Sequence, residues 1–263
     1  MKGTLKRTLS LTDSISVVSG SMIGCGIFIV SADIARQVQS GVLLILTWML
    51  AGFVTLCGAL SFAELAANIT EEGGQYVYLK KIFNEKIAFL YGWTTFLVIQ
   101  TGTLAAVCVA FAKFLGLLVP FISAHLFVVN CGGVTLSTQQ VCAIFTVVFL
   151  SYINSKGIKY GVITQNLFTA TKVLSIIGII LAGLFFGFHW KTIIANSYIP
   201  QFSLLTNSKI VFTAVVGALF SSITWNNITF IAGEIKEPSK NIPKALAYGT
   251  GLVVLLYLLI NTI

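Results

Sequence analysis

Gly20-Ser21-Met22-Ile23-Gly24-Cys25-Gly26-Ile27-Phe28 sets three glycines inside an apolar stretch that runs from about residue 14 to 35. That length is enough to cross a bilayer as a helix. Glycine weakens a helix by up to about 1 kcal/mol relative to alanine, so three close together permit local unwinding at mid-membrane. Unwound backbone cannot face lipid, because its freed N–H and C=O groups need partners, and it must therefore line a protein cavity. The spacing Gly20-x-x-x-Gly24 also suits a close helix–helix contact. From spacing alone, a broken span and a packing face both remain open.

The sequence on either side belongs to a membrane protein. Of 263 residues, 57% are apolar and 9% charged, and the mean hydropathy is +0.95. Soluble domains carry about 25% charged residues. A soluble enzyme, a nucleic-acid-binding domain and a disordered chain are excluded. The formal net charge of +8 comes from basic residues scattered between apolar runs, with no single basic face for nucleic acid. Apolar stretches recur at about 14–35, 41–66, 87–119, 138–155, 162–188, 210–233 and 245–263. Joined by short polar connections, they predict one bundle of about seven transmembrane helices. The third exceeds one straight crossing, which predicts a strongly tilted or protruding helix.

Lysine and arginine placement orients the bundle. With a cytoplasmic N-terminus, the inner side receives Lys2, Lys6, Arg7, Lys80, Lys81, Lys86, Lys156, Lys159, Lys236, Lys240 and Lys244, and the outer side only Arg36, Lys191 and Lys209. The start resembles a signal peptide, with Val30-Ser31-Ala32 as a cleavage site, but its apolar segment is longer than such peptides need and is interrupted by glycine. The sequons at Asn68 and Asn227 fall on the inner side and within a span, where no glycosylation is expected. Cys25, Cys57, Cys108, Cys131 and Cys142 form no C-x-x-C pair, which argues against a zinc site or a disulfide framework. His125 and His189 are too far apart in sequence to suggest a metal site. No Ser-His-Asp set, phosphate loop or metal cluster occurs, so neither enzyme activity nor a cofactor is expected.

Two further features lie inside spans. Phe220-Ser221-Ser222-Ile223-Thr224-Trp225-Asn226-Asn227 is a polar cluster in the sixth stretch, and such groups face a bundle interior. Lys172 sits near the middle of the fifth stretch. A charge there costs roughly 2.5 to 3.5 kcal/mol on insertion scales, so its ammonium should meet a cavity or a partner. It can serve as a proton carrier or as a fixed cap on free carbonyls. Glu64, Glu71 and Glu72 are expected to anchor the inner interface beside Lys80, Lys81 and Lys86.

Gly20-x-x-Ile23-Gly24-x-Gly26-Ile27-Phe28 resembles the first-span signature of the amino acid-polyamine-organocation permeases, particularly their L-type amino acid transporter branch. Further likeness follows in order. Trp48, Gly52, Gly58 to Leu65 and Gly73 to Tyr78 resemble the second span and its loop, Phe168 to Leu174 the fifth span, and Phe220 to Pro243 the sixth span and following loop. The resemblance implies an all-α, LeuT-type inverted-repeat bundle with helices 1 and 6 broken and substrate held between them. Repeat one would cover about 14–188, and repeat two would begin at about 210–263.

In that arrangement the N–H groups of Gly24, Cys25 and Gly26 would receive a substrate carboxylate at a helix N-terminus. Backbone of Met22, Ile23, Phe220 and Ile223 would receive the ammonium. Phe220, Ser221, Ser222, Thr224 and Trp225 would form the pocket and gate, with Phe220 above the substrate. The family commonly has glycine where this chain has Ile223 and Thr224, which points to a small or medium neutral amino acid. Lys172 would occupy the place of a sodium ion, leaving a proton as the candidate coupling ion, or exchange without one.

The resemblance implies a multi-pass protein of the plasma or bacterial inner membrane, with an amino acid substrate and lipid as its partners. The surroundings of Cys131 argue against an accessory subunit. The family core has ten helices and residues 1–263 supply seven, so an incomplete permease domain that does not transport alone is expected. The competing class is a seven-span receptor or retinal protein, although Tyr248 to Ile263 contains no Schiff-base lysine.

Overall fold

Each predicted stretch becomes a helix, and the interruptions within them are the informative part. The computed structural model describes residues 7–24, 26–131, 134–187 and 204–262. Cys25, Lys2, Lys6, His189 and Lys191 lie outside the described residues.

Along the chain, α1 (Leu11–Met22) and α2 (Gly26–Val38) form the first span, followed by α3 (Gly41–Asn68) and the short α4 (Gln75–Ile82). Then come α5 (Glu85–Thr94), a π-helical turn (Thr95–Gln100) and α6 (Thr101–Leu118), a hairpin of β1 (Phe127–Cys131) and β2 (Val134–Ser137), α7 (Thr138–Ser155), and α8 (Ile158–Ala182) with a π turn at Gly183–Gly187. The described chain closes with α9 (Leu204–Phe220), a 3₁₀ helix (Ile223–Glu234) and α10 (Pro238–Thr262). Among the described residues, five helical runs are long and apolar enough to cross a membrane singly, and α1 with α2, bent by 42°, makes a sixth if the pair is one span. α7, with 18 residues, occupies the fourth predicted stretch.

The starts of these helices are written locally. Ser10 accepts from the Asp13 N–H while the Asp13 carboxylate accepts from the Ser10 N–H, a reciprocal cap. Ser137 and Gln140 repeat it at α7, and Ser40 and Asn84 cap α3 and α5 with one bond each. The over-long third stretch runs from Glu85 to Leu118 and contains the π turn at Thr95–Gln100, which widens the helix by one residue per turn.

The chain divides into two compact units, residues 1–78 with 164–263, and residues 79–163. In the first, α3 buries Thr47, Trp48, Ala51, Gly52, Thr55, Ala59, Ala63 and Ala66, a three- and four-residue stripe of mostly small side chains. α10 packs along that stripe and along α1, burying Ile242, Ala245, Leu246, Gly249, Thr250, Val253, Leu256 and Tyr257. Outward positions such as Phe53, Leu60 and Phe212 are large, apolar and exposed, as a lipid-facing surface requires. The start of the chain is tied to the connection before α10: the Thr8 and Leu9 N–H groups donate to the Glu234 carbonyl at 2.9 and 3.0 Å, and the Lys236 N–H donates to the Leu9 carbonyl at 3.0 Å. In the second unit, Cys108, Ala112 and Ala143 form the centre where α6 meets α7. The hairpin, with Asn130 paired to Thr135, was not expected from sequence.

Close approach within the first unit makes its glycines sensitive. An ideal Cβ at Gly249 would lie 2.8 Å from Cβ and Cγ1 of Val18. Gly249→Val should therefore lower the thermal unfolding temperature of the detergent-purified protein, at a cost of about 1–3 kcal/mol. An unchanged transition would show that α10 does not press on α1.

Candidate functional site

Ending a helix at Met22 leaves the carbonyls of Ser19, Gly20, Ser21 and Met22 without intrahelical partners. Each is taken up. The Ile23 N–H donates to Ser19 at 2.9 Å. Lys172 Nζ on α8 donates to Gly20 at 3.1 Å. Thr224 Oγ1 in the 3₁₀ helix donates to Ser21 at 2.5 Å. Tyr257 Oη on α10 donates to Met22 at 2.9 Å. Three different helices thus complete one broken helix end, and Lys172 occupies the capping position considered from sequence.

The break in the sixth span is of another kind. α9 ends at Phe220, Ser221 and Ser222 form a turn, and the chain continues for 12 residues with 3₁₀ winding, with a further kink at Ile231. Runs of 3₁₀ beyond three or four residues are uncommon. Hydroxyls take the place of the missing glycine: Ser221 Oγ donates to the Gly217 carbonyl at 3.2 Å and Ser222 Oγ to Ala218 at 3.1 Å.

The two breaks meet. An ideal Cβ on Gly26 would lie 2.7 Å from Ser221 Oγ and 3.1 Å from Ser221 Cα, so α2 can begin there only with glycine. Ser21 Oγ reaches the Thr224 carbonyl at 3.0 Å, opposite the Thr224-to-Ser21 bond, and it also reaches the Val17 and Val18 carbonyls at 2.7 and 3.0 Å. Having one proton, it serves one of these at a time. The Tyr257 hydroxyl lies 3.4 Å from the Ser221 carbonyl as well, joining both breaks to α10. Around Gly24, by contrast, an added Cβ would find among the described residues only the Gly26 nitrogen, at 4.0 Å, so this face is open to them.

Of the predicted residues, Met22, Ile23, Ser221 and Ser222 are buried at the junction, and Thr224 bridges it. Phe220 and Ile223 are 69% and 58% exposed, pointing away from the packed side. Trp225 packs edge-on against Phe62, with ring centroids 5.0 Å apart, and against Gly58 of α3. The span-6 carbonyl brought beside that of Met22 through a shared donor is Ser221's. Tyr257 was missed in the sequence, where one tyrosine in an apolar run carries no signal of its own.

α1 is further joined to α8 by polar contacts spaced three residues apart on α8. Asn166 donates to the Asp13 carboxylate at 3.0 Å and Thr169 to the Ser16 carbonyl at 3.3 Å, ahead of the Lys172 bond to Gly20. Gly20 is required here, since a Cβ would meet Thr169 Oγ1 and Gln165. On the loop side, Tyr78 packs on Phe62, and burial pushes its phenol up, with the Thr229 hydroxyl partly opposing the shift.

A span broken at a glycine motif inside a helical bundle, its carbonyl end capped by other helices, is a construction that membrane transporters use. The chain belongs to the amino acid permease family, which matches residues 9–263. It is 27% identical to the b(0,+)-type amino acid transporter 1 of Mus musculus over 98% of this chain and 51% of that protein. It is 30% identical to the serine/threonine exchanger SteT of Bacillus subtilis (98% and 54%) and 28% identical to the human large neutral amino acids transporter small subunit 2 (98% and 46%). The chain spans about half the length of these relatives. They are transporters, not enzymes, and the apolar helices make this a multi-pass membrane protein. One relative is by name a small subunit, so the expectation against an accessory subunit has no support from these proteins.

Replacing Thr224 by valine keeps the shape and removes the donor to Ser21. The partly buried carbonyl left unpaired should lower stability by up to about 1–3 kcal/mol, with Thr224→Ser close to wild type. Equal unfolding temperatures for all three proteins would show that the bond carries no weight.

Proposed function

We propose that this chain provides the substrate-binding part of a secondary transporter that moves a small or medium neutral amino acid across the cell membrane by alternating access, its N-terminus in the cytoplasm. The carrying observation is the open face at Gly24 between a capped carbonyl end and the start of α2 at Gly26. A helix N-terminus attracts a carboxylate, and backbone carbonyls of Met22 and the Phe220–Ile223 segment attract an ammonium. Gly24, Cys25 and Gly26 are the proposed carboxylate donors. Phe220, exposed at the end of α9, is the proposed gate, and Ile223 is proposed to limit the volume of the site.

Thr224 bears on the substrate side chain. Its one proton goes to Ser21, and its oxygen keeps acceptor capacity for a hydroxyl on the substrate. The likeness to an exchanger of serine and threonine supports that choice. The bond between Lys172 and Gly20 supports a fixed cation at the inner side of the break, and so exchange in preference to proton symport.

The test uses the protein of the whole reading frame in proteoliposomes. Labelled alanine uptake should be competed by serine and threonine at least tenfold more effectively than by phenylalanine or tryptophan; the reverse order would reject the size assignment. Uptake should require amino acid inside the vesicles and be indifferent to an imposed acid-outside gradient. Lys172→Met should slow exchange at least tenfold at every pH, because Gly20 loses its cap. A wild-type rate that follows the proton gradient, and a variant that no longer does, would establish proton coupling instead.

A further inference from the structure

We propose that Tyr257 is a positioning residue of the amine site, acting through the backbone carbonyls it holds; this rests on the amino acid reading above. The Tyr257 hydroxyl is 2.9 Å from the Met22 carbonyl and 3.4 Å from the Ser221 carbonyl, which belong to the two broken spans. Its side chain is only 2% exposed, and its ring is fixed edge-on against Trp48 at 5.3 Å. The hydroxyl is thus a fixed point on α10, around which two otherwise independent chain breaks are registered.

Two carbonyls that converge on one donor are close enough to share another. Each carbonyl oxygen has two lone pairs, and the tyrosine proton uses one at a time. What remains on Met22 and Ser221 is a pair of acceptors of defined separation, and a primary ammonium, with three protons, is the donor suited to such a pair. Tyr257 therefore sets the spacing of the amine cradle without touching the substrate. No charged side chain is needed for this, which fits the burial of Met22 and Ser221 themselves.

Binding of L-alanine and N-methyl-L-alanine to the purified full-length protein tests the idea by titration calorimetry. Methylation removes one ammonium proton and adds bulk, so a rigid cradle should discriminate strongly between the two. Tyr257→Phe keeps the ring and its contact with Trp48. It should weaken alanine binding about tenfold and narrow the preference over N-methylalanine at least threefold. Thr250→Val, a buried change elsewhere on α10, should leave the preference at its wild-type value and reports what simple loss of packing does. The ratio of two dissociation constants does not depend on the fraction of protein that is folded, so lowered stability does not obscure it. An unchanged ratio in Tyr257→Phe, or an equal narrowing in Thr250→Val, would overturn the role of Tyr257 while leaving the amino acid reading intact. Absence of alanine binding by the wild-type protein would overturn both.

Discussion

A helix that stops in the middle of a membrane leaves carbonyls that lipid cannot satisfy, and the packing around residues 19–22 follows from that constraint. One carbonyl is met by the next turn of backbone, and the other three by Lys172, Thr224 and Tyr257 from three separate helices. Each unpaired carbonyl would cost about 1–3 kcal/mol, a large share of the few kcal/mol by which a fold is stable. The break in the first span is therefore a structural centre to which α8, the 3₁₀ helix and α10 are all bound.

The sixth span shows a second solution to the same problem. Where the first span uses glycine and borrowed donors, the sixth uses its own hydroxyls. Ser221 and Ser222 return to carbonyls four residues back, and the chain changes to 3₁₀ winding without opening fully. Substituting Ile223 and Thr224 for glycine is compatible with this, because a 3₁₀ helix lies in the right-handed region of backbone space and asks for no positive φ. The absence of glycine thus changed the form of the interruption without removing it.

Those differences explain what could be read in advance. In the first span the three glycines allowed either a break or a packing face, and the structure uses both: Gly20 packs on α8 while the helix stops before Gly24; apolar length located the remaining helices. Lys172 was legible as an anomaly, since a charge in hydrocarbon must have a partner, although the Gly20 carbonyl as its acceptor was not. Thr224 looked like a group for substrate; the structure commits its proton to Ser21. Tyr257 was invisible because its meaning lies in register, with a hydroxyl arriving at two carbonyls more than 30 and 200 residues away. Long-range pairing of polar atoms inside a bundle leaves no periodic trace in a single sequence.

The caps also bear on how such a junction moves. Ser21 has one proton and three carbonyls in reach, two on its own helix and one across the break. Tyr257 has one proton and two carbonyls, one in each broken span. A displacement of α1 away from the 3₁₀ helix therefore need not strand these donors, since each can pass from one acceptor to another already within hydrogen-bond distance. On α1, Lys172 donates to the Gly20 carbonyl and Thr224 to the Ser21 carbonyl. They resist the same displacement, and water or substrate must replace them when α1 departs. The junction thus combines donors that exchange partners with bonds that must be broken, which sets a barrier to opening without fixing the broken helix permanently in place.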